Sequence, residues 1–449
     1  MKFVPNSSVK SLMLKDLGLN DIEDLFFDIP QKIKIKNFNL SKGLSQQETE
    51  QKLRKILCKN KSYNDILSFL GGGIKPHYIP AIVKSITSRS EFYTAYTPYQ
   101  SEASQGFLQA MFEYQSMIAE ITGMDVANCS LYDGITSLSE AALMCTRITG
   151  KKTFIMPHNI SWEKKCVLSN YAKGPGIRIN EISYDDKTGK INLDELNKKI
   201  DDNTAGVYIE NPNFFGIFED DITEIGKIVK DAGSLFVVGI DPISLGITKS
   251  PGEYDADIVI GEGRALGNPM NFGGSSLGIF ACKNEFLRQM PGRIIGLTKD
   301  RDGKRAFCMA LQTREQHIRR AKATSNICTN EGLCALAAVV YLSWLGSIGF
   351  FNLSKTNYEK GQKLAKSITA IDGFNLRFNG THFNELVVKY SDDAKKLNKQ
   401  LLQRNIQGGL VLDEFYPELK NCLLFGISEI HSDEDIERFA ASLKEVSNV

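Results

Sequence analysis

The residues best suited to chemistry follow apolar runs or lie in one tyrosine-rich stretch. Asp241 follows the run "LFVVGI", while Glu210, Asn211 and Asn213 follow "AGVYI". Carboxylates and amides at the carboxyl ends of neighbouring parallel strands line the crevice in which open α/β folds bind ligands. The alternative for each residue is turn chemistry, because Asn, Asp and Pro also end strands. For each residue alone turn chemistry is the better explanation, whereas two such groups after successive strands make a crevice credible.

The stretch "YTAYTPYQSEASQG", residues 93–106, has the densest mixture of polar and aromatic residues and no helical periodicity. A loop of this composition supplies hydroxyl and amide groups at the mouth of a binding site. It also suits a loop that caps an apolar core with tyrosine rings. The stretch alone leaves both interpretations open.

The glycine-rich stretch "GEGRALGNPMNFGG", residues 261–274, fails the nucleotide-binding templates. Its spacing is GxGxxxG rather than GxGxxG, and the residues after it open a helix poorly. No GxxxxGK[ST] motif occurs in the chain. The following "GSSLG" matches a nucleophile elbow around Ser276, but a glycine loop precedes that serine and a strand-like run follows it. This order is the reverse of the one that a serine hydrolase needs.

Composition excludes several classes of function. Lys and Arg total 54 against 53 Asp and Glu, so no net field favours nucleic acid or an anionic membrane. The nine cysteines form no CxxC pair and the five histidines form no HExxH motif, so we expect no metal site. An odd number of dispersed cysteines indicates reduced thiols and predicts a cytoplasmic protein. The uncharged segment 332–354 is long enough to span a bilayer, but its small residues favour a helix packed between domains or subunits.

The pattern along the chain predicts three parts. Residues 1–65 have helical spacing and a capping box at Ser45 and Glu48, which indicates an N-terminal helical arm. Residues 66–310 alternate helical and strand-like segments, which predicts a large α/β domain with a mainly parallel, doubly wound sheet. Residues 311–449 begin with a basic helix over "REQHIRRAK" and the uncharged helix. Short strands between helices then predict a smaller C-terminal α+β domain.

Five stretches together carry a family resemblance. They are "YTAYTPYQSEASQG", "MIAEITGMDVANCSLYDGITSLSEA", "NPNFFG", "GEGRALGNPMNFGG" and "TREQHIRRAKATSNICTNEGL". The chain resembles the pyridoxal-phosphate enzymes of the aspartate-aminotransferase fold, fold type I. More closely, it resembles the P-protein family of the glycine cleavage system, and within it the alpha subunits of the split enzyme. The stretches run in the family's order from about residue 66 to 335.

The resemblance implies a concrete reaction. A P-protein joins glycine to pyridoxal 5'-phosphate through a Schiff base, and the pyridinium ring acts as an electron sink while CO2 leaves. The remaining aminomethyl group passes to the lipoyl arm of the H-protein. Split enzymes of bacteria pair alpha and beta subunits as an α2β2 assembly. The resemblance therefore implies a homologous beta subunit, a lipoylated H-protein and glycine as the partners of this chain.

The chain departs from this fold family at the Schiff-base lysine. That lysine typically lies roughly 25 to 30 residues after the aspartate that pairs with the pyridine nitrogen. Counting from Asp241 leads into the glycine-rich stretch and its continuation, which hold no lysine, whereas Lys249 is too early and Lys283 belongs to the next strand. Arg264 is the nearest cation, but a guanidinium stays protonated and is a poor nucleophile. The resemblance implies that the beta subunit holds the lysine and that Asp241 and Arg264 are vestigial positions.

By resemblance, the tyrosine-rich stretch is the candidate to reach the partner's cofactor or substrate. Its candidate residues are Tyr96, Thr97, Tyr99, Gln100 and Glu102. The hydroxyl and amide groups would position the phosphate or the glycine carboxylate, and Glu102 would orient a neighbour. One alternative is a non-catalytic pseudoenzyme that stabilises the beta subunit or docks the H-protein. A second alternative is a self-sufficient enzyme that uses an unexpected lysine.

Overall fold

The computed structural model describes residues 7–35, 37–95 and 97–447. By its internal contacts the chain divides into two compact units, Met1–Lys61 and Ser62–Val449. The predicted division into three parts, with boundaries at residues 65 and 310, stays a prediction. The first unit contains the helices α1 (Lys10–Asp16) and α2 (Gln46–Leu57).

Helix α2 begins at the capping box that the sequence predicted. Ser45 Oγ accepts a hydrogen bond from the Glu48 N–H at 3.2 Å, and Glu48 Oε2 accepts one from the Ser45 N–H at 2.8 Å. The N–H and hydroxyl of Ser45 also lower the pKa of the Glu48 carboxyl. The reciprocal bonds occupy amide donors that the helix itself cannot satisfy.

The second unit is built on a seven-stranded sheet. Its strands are β2 (Val126–Ala127), β3 (Thr153–Pro157), β4 (Arg178–Ile182), β5 (Thr204–Asn211), β6 (Leu235–Ile240), β7 (Ile258–Glu262) and β8 (Gly278–Cys282). Their order is β2-β8-β7-β6-β5-β3-β4. Neighbouring strands are parallel from β4 to β7, and β8 is antiparallel to β7 and to β2. The predicted α/β class with a mainly parallel sheet is confirmed.

Both faces of this sheet are covered. Phe236 and Val238 of β6 belong to one apolar core, while Leu235 and Val237 of the same strand belong to another. Since successive side chains of a strand point to opposite faces, the two cores lie on the two sides of the sheet. Burial on both faces explains why the strands β3, β5, β6 and β7 read as continuous apolar runs, unlike the edge strand β4.

Helices connect the strands and pack on the two faces. They are α5 (Gln105–Thr122), α6 (Gly134–Thr149), α7 (Trp162–Lys173), α8 (Leu193–Lys199) and α9 (Ile222–Asp231). Helix α5 ends at Gly123 with φ 66°, and Gly233 follows α9 with φ 62°. Glycine takes up these left-handed conformations at little cost, so both predicted helix stops are confirmed. Two shorter helices, α3 (Ala81–Thr87) and α4 (Ser90–Tyr93), precede α5.

The chain after the sheet begins with a hairpin of β9 (Ile294–Lys299) and β10 (Arg305–Ala310). The predicted basic helix over 314–322 is wrong in extent, because helix α10 spans only Gln316–Arg319. Arg320 then takes φ 52° and ψ −124°, which interrupts the helix. The side chain of Arg314 points away to donate to the Met290 carbonyl and, at 3.0 Å, to the Gly292 carbonyl.

Helix α11 (Gly332–Thr369) contains the predicted uncharged helix. Gly346, at φ 60° and ψ −177°, divides it into two helical parts. Within the described residues α11 is the one helix long and apolar enough to cross a membrane, and 39% of its most apolar window is buried inside this chain. Helix α11 packs against α3 and α5. Packing of its uncharged segment between domains or subunits stays a prediction.

The last part of the chain contains a small antiparallel sheet of order β11-β12-β15-β14. Its strands are β11 (Phe374–Leu376), β12 (Glu385–Tyr390), β14 (Leu410–Val411) and β15 (Cys422–Gly426). Helices α12 (Ala394–Gln403) and α13 (Asp433–Ser447) accompany it. Strand β1 (Leu67–Ser68) pairs in parallel with β13 (Ile406–Gln407), so the start of the second unit joins this C-terminal part.

Candidate functional site

Three parallel strands end side by side at one edge of the large sheet. Asn211 at the end of β5 is paired with Ile240 of β6, and Ile240 is paired with Gly261 of β7. Asp241 and Glu262 therefore lie at the same edge as Asn211. As the sequence predicted, the polar residues that follow β5 and β6 occupy neighbouring strand ends, where α/β folds form their ligand crevice.

Glu210, near the end of β5, makes its polar contacts with other side chains of the same chain. It is 4% exposed, accepts a hydrogen bond at 2.7 Å from the Tyr208 hydroxyl, and forms an ion pair with Lys164 in the first turn of α7. A buried carboxylate requires such partners because its desolvation is costly. Its charge and its hydrogen bonds therefore serve the packing of α7 on the sheet.

The side chains of Asn211 and Asn213 form hydrogen bonds within the turn after β5. This is the alternative to a ligand crevice that the sequence left open for them. Asn213 Oδ1 accepts from the Phe215 and Ile217 N–H groups at 3.0 and 3.2 Å. Asn211 Oδ1 accepts from the Glu219 N–H at 3.2 Å, and the Asn213 side-chain amide donates to Glu219 Oε1 at 3.1 Å. These hydrogen bonds stabilise the turn after β5 and connect both asparagines to the buried Glu219.

Glu219 makes the stability of this turn depend on pH. Burial raises its pKa to about 7 from a reference of 4.5, although the Ile191 N–H and the Asn213 amide favour the charged form. An acid whose pKa rises on folding holds its proton in the folded chain after the unfolded chain has lost it. Its contribution to stability is therefore fully present below about pH 4.5 and is lost as the pH rises towards about 7.

We expect Glu219→Gln to remove this pH dependence. The measured quantity is the free energy of unfolding of the wild type minus that of Glu219→Gln at the same pH. This difference should fall by on the order of 1 to 3 kcal/mol between pH 5 and pH 8. Urea unfolding at a series of pH values measures it. Glu224→Gln, at an exposed position of α9, is the control and should follow the wild type. Parallel curves for Glu219→Gln and the wild type would contradict the prediction.

Asp241 and Arg264 are both engaged within the chain. Asp241 Oδ1 accepts from the Ile243 N–H at 3.0 Å and so caps the turn Pro242–Gly246. Arg264 is 4% exposed, and its Nη2 donates to the Lys75 carbonyl at 3.1 Å. Burial lowers the pKa of Arg264, while the charges of Glu262 and Asp241 oppose that shift. Asp241 and Arg264 thus belong to one electrostatic cluster.

Carboxylates of this chain occupy the start of α6. Asp133 Oδ1 accepts from the Thr136 N–H at 2.6 Å, and Glu262 Oε2 accepts from the Gly134 N–H at 3.1 Å. Free N–H groups and the helix dipole make a helix start a natural site for an anion. Two side chains of this chain therefore take the place that a ligand's phosphate or carboxylate would occupy.

Glu262 also closes the glycine-rich loop 263–277. Its Oε1 accepts from the Arg264 N–H at 2.8 Å and from the Leu277 N–H at 3.1 Å, one at each end of the loop. Burial raises the pKa of Glu262, while these N–H groups favour its charged form. One carboxylate thus joins the loop after β7 to the start of α6.

A second carboxylate of this chain, that of Glu385, contacts the run of three consecutive glycines at residues 71–73. Glu385 Oε1 accepts from the Gly72 and Gly73 N–H groups at 2.7 and 2.9 Å. It also lies 3.4 Å from Nζ of Lys75, whose side chain is 3% exposed. Gly72 and Gly73 have φ of 106° and 87°, which turn successive N–H groups towards one acceptor. The Lys75 carbonyl links this site to Arg264.

The tyrosine-rich stretch is mostly an irregular loop, with Tyr93 as the last residue of α4 and Gln105 and Gly106 as the first residues of α5. Tyr96 lies outside the described residues. Thr97 is half-buried, whereas Tyr99, Gln100 and Glu102 are exposed. The loop therefore presents a hydroxyl, an amide and a carboxylate to its surroundings, and it does not use all its tyrosines to cap a core.

Three of the predicted site residues, Tyr99, Asp241 and Arg264, fall into two polar clusters. Within the described part of the chain, side-chain contacts join Tyr99 to Arg293 and His317. Asp241 and Arg264 belong instead to the cluster of Glu262 at the sheet edge. Sequence reasoning missed Arg293 and Glu262. Glu262 does follow an apolar strand directly, the same signal that singled out Asp241.

Comparison with known proteins shows the family. The family model described as glycine cleavage system P-protein matches residues 1–443. The chain belongs to the glycine cleavage system P-protein family. It is 49% identical over 447 residues to "Probable glycine dehydrogenase (decarboxylating) subunit 1" of Thermococcus onnurineus, with 99% of each chain covered. It is 44% identical over 448 residues to the protein of that name from Desulfitobacterium hafniense, covering 99% of this chain and 100% of that one.

Solved structures of this P-protein family and of its fold superpose on this chain. A crystal structure of glycine decarboxylase (P-protein) of the glycine cleavage system, in inhibitor-bound form, is 37% identical. It superposes with a TM-score of 0.91 over 99% of this chain and 100% of that one. Glutamate decarboxylase of Lactobacillus brevis is 12% identical, with a TM-score of 0.69 over 93% of this chain and 96% of that one, and shows the fold alone. The fold is that of the fold type I pyridoxal-phosphate enzymes.

The crevice of this P-protein chain does not fit the cofactor of its fold family. Loop 263–277, which follows β7, contains no lysine. The start of α6 carries the carboxylates of Asp133 and Glu262, which repel a phosphate. Arg264 faces the Lys75 carbonyl. The residues present therefore form an internal network of carboxylates and backbone N–H groups in place of a pyridoxal-phosphate site, in which the buried Arg264 Nε has no hydrogen-bond partner among the residues that the structure describes.

Proposed function

We propose that this chain is the alpha subunit of a split glycine decarboxylase and works with a homologous beta subunit that carries the Schiff-base lysine. The observation that carries the proposal is the loop after β7, which has no lysine in a chain of the P-protein family. The relatives named "subunit 1" support a protein made of more than one kind of chain.

The proposed reaction is the decarboxylation of glycine, with transfer of the aminomethyl group to the lipoyl arm of the H-protein. Pyridoxal phosphate, bound covalently to the beta subunit, supplies the electron sink for the loss of CO2. The role of this chain is to bind and orient the phosphate or the glycine carboxylate. The side chains of Tyr96, Thr97, Tyr99 and Gln100 donate hydrogen bonds to the phosphate or the glycine carboxylate, while Glu102 orients a neighbouring group. Exposure of Tyr99, Gln100 and Glu102 supports this role, because their side chains are accessible to another chain.

The proposed assembly is α2β2 in the cytoplasm. Exposed apolar side chains on α11 support a partner chain, since Trp344 is 54% exposed, Ile348 77% and Phe351 49%. Apolar side chains in such a group commonly mark a protein interface. The nine free cysteines agree with a reducing compartment.

Borohydride trapping tests which chain holds the cofactor. The chain is co-expressed with its lysine-bearing homologue, and the complex is reduced with borohydride in the presence of pyridoxal phosphate. We expect the label on the homologue, none on this chain, and decarboxylation of glycine by the complex but not by this chain alone. The isolated chain, treated in the same way, is the control. A labelled lysine in this chain would refute the proposal and favour a self-sufficient enzyme.

We expect Gln100→Ala and Tyr96→Phe to lower kcat/KM for glycine about 10- to 100-fold in the complex. Each change removes a hydrogen bond to a charged group, which is worth ~1.5–3 kcal/mol. Glycine-dependent CO2 exchange measures the effect, and co-purification with the homologue measures assembly, which should not change. Gln403→Ala, at an exposed position of α12, is the matched control. Unchanged kinetics for both loop variants would support a non-catalytic stabilising subunit instead.

A further inference from the structure

Arg293 is a buried cation that contacts the tyrosine-rich loop at Tyr99. It precedes β9 and is 6% exposed. Its Nη2 donates to the Tyr99 hydroxyl at 3.3 Å, and its guanidinium carbon lies 5.4 Å from the centre of the Tyr99 ring. One guanidinium thus contacts both the face and the hydroxyl of the same tyrosine, and the cation is attracted by the ring as well as by the oxygen.

The remaining donors of Arg293 fix its own position. Nη1 donates to Thr329 Oγ1 at 2.8 Å and to Asn330 Oδ1 at 3.3 Å, and Nη2 donates to the Cys328 carbonyl at 3.3 Å. Nε lies 3.9 Å from Glu315 Oε2. The hydrogen bonds hold the guanidinium to residues 328–330, while Nε has only the longer ion-pair contact with Glu315 and no hydrogen-bond partner within the described part of the chain. A planar fork with donors in fixed directions can satisfy such a set, whereas an ammonium group cannot.

Tyr99 stays accessible despite these contacts. Its side chain is 49% exposed, and the edge of the His317 ring packs against it at 5.8 Å between ring centres. Arg293 and His317 thus hold one part of Tyr99 and leave the rest uncovered. An exposed loop side chain that is held in one orientation loses less entropy when it meets a ligand.

We propose that Arg293 is a positioning residue for glycine decarboxylation, acting through Tyr99. It fixes the tyrosine ring and hydroxyl, and with them the exposed face of the loop that serves the partner's site. This inference rests on the proposed function, in which Tyr99 and Gln100 reach the cofactor or glycine on the beta subunit. A purely structural Arg293 would stabilise the fold without an effect that depends on Tyr99.

A double-variant comparison in the reconstituted complex tests the inference. We expect Arg293→Lys to lower kcat/KM for glycine about tenfold in CO2 exchange, because lysine keeps the charge but loses the planar contact with the ring. In a Tyr99→Ala background, Arg293→Lys should cause no further loss. Arg305→Lys is the matched control: Arg305 is exposed and lies 5.6 Å from the Phe307 ring centre, and its replacement should leave kcat/KM unchanged.

A second variant covers the case in which Arg293→Lys fails to fold. Thr329→Val removes one acceptor of Arg293 and keeps the buried arginine, so it should lower kcat/KM in the same direction by a smaller factor, and only when Tyr99 is present. An equal loss with and without Tyr99 would overturn the inference, as would full activity of both variants. If Tyr99→Ala alone leaves an active complex unchanged, the loop's proposed role fails. If Tyr99→Ala is impaired while Arg293→Lys and Thr329→Val are normal, only the inference about Arg293 fails.

Discussion

Glu385→Ala is expected to lower the free energy of unfolding by about 3 to 5 kcal/mol. The substitution leaves Lys75, whose side chain is 3% exposed, without its carboxylate partner. It also removes the acceptor of the Gly72 and Gly73 N–H groups. Urea unfolding of the purified chain, with the midpoint and slope fitted together, measures the change.

Two further variants separate the buried charge from general damage. The double variant Lys75→Met, Glu385→Leu replaces the buried pair by apolar side chains and should recover most of the loss. Glu359→Ala breaks an ion pair of α11 in which both side chains are more than half exposed, and it should cost about 0.5 kcal/mol or less. A double variant as unstable as Glu385→Ala would show that the unpaired lysine is not the cause.

Gly216→Ala is expected to lower the free energy of unfolding by about 2 to 5 kcal/mol. Gly216 has φ +83°, and a Cβ atom there would lie 2.0 Å from the Glu385 carbonyl oxygen. The left-handed conformation costs an alanine about 1–2 kcal/mol. The forced shift of β12 adds about 1–3 kcal/mol, as overpacking does elsewhere. Thermal and urea unfolding measure the total.

Gly303 supplies a matched control for the backbone strain. It has φ +80°, nearly that of Gly216, but a Cβ atom there would meet nothing within 4 Å. Gly303→Ala should therefore cost only the conformational part, about 1–2 kcal/mol. Equal losses for the two variants would mean that the close approach to Glu385 is relieved without cost.

Much of the fold could be predicted from local patterns. The strands β3, β5, β6 and β7 were predictable because burial on both faces makes each a continuous apolar run. The stops at Gly123 and Gly233 were predictable because a left-handed helix end favours glycine. The basic helix was predicted too long, because long-range bonds of the Arg314 side chain and the backbone of Arg320 override the local pattern.

The candidate site was predictable only in part. The sequence placed Asp241 at a strand end and Tyr99 in an irregular loop, and both placements agree with the structure. It gave no sign that Glu262 would bond to the start of α6, 128 residues earlier, or that Glu385 would bond to Gly72, 313 residues earlier. Arg293 and Tyr99 are 194 residues apart. Each of these pairs forms only when strands and helices from distant parts of the chain have packed.

The sequence by itself determined the order of strands and helices, the helix stops and the lack of a lysine after β7. Periodicity, glycine conformations and residue identity are local properties, and a linear chain states them directly. Only the tertiary structure decided which groups meet: the carboxylates that fill the crevice and the arginine that holds Tyr99. Those contacts follow from the strand order of the sheet and the packing of loops at its edge, which bring together residues that no local pattern connects.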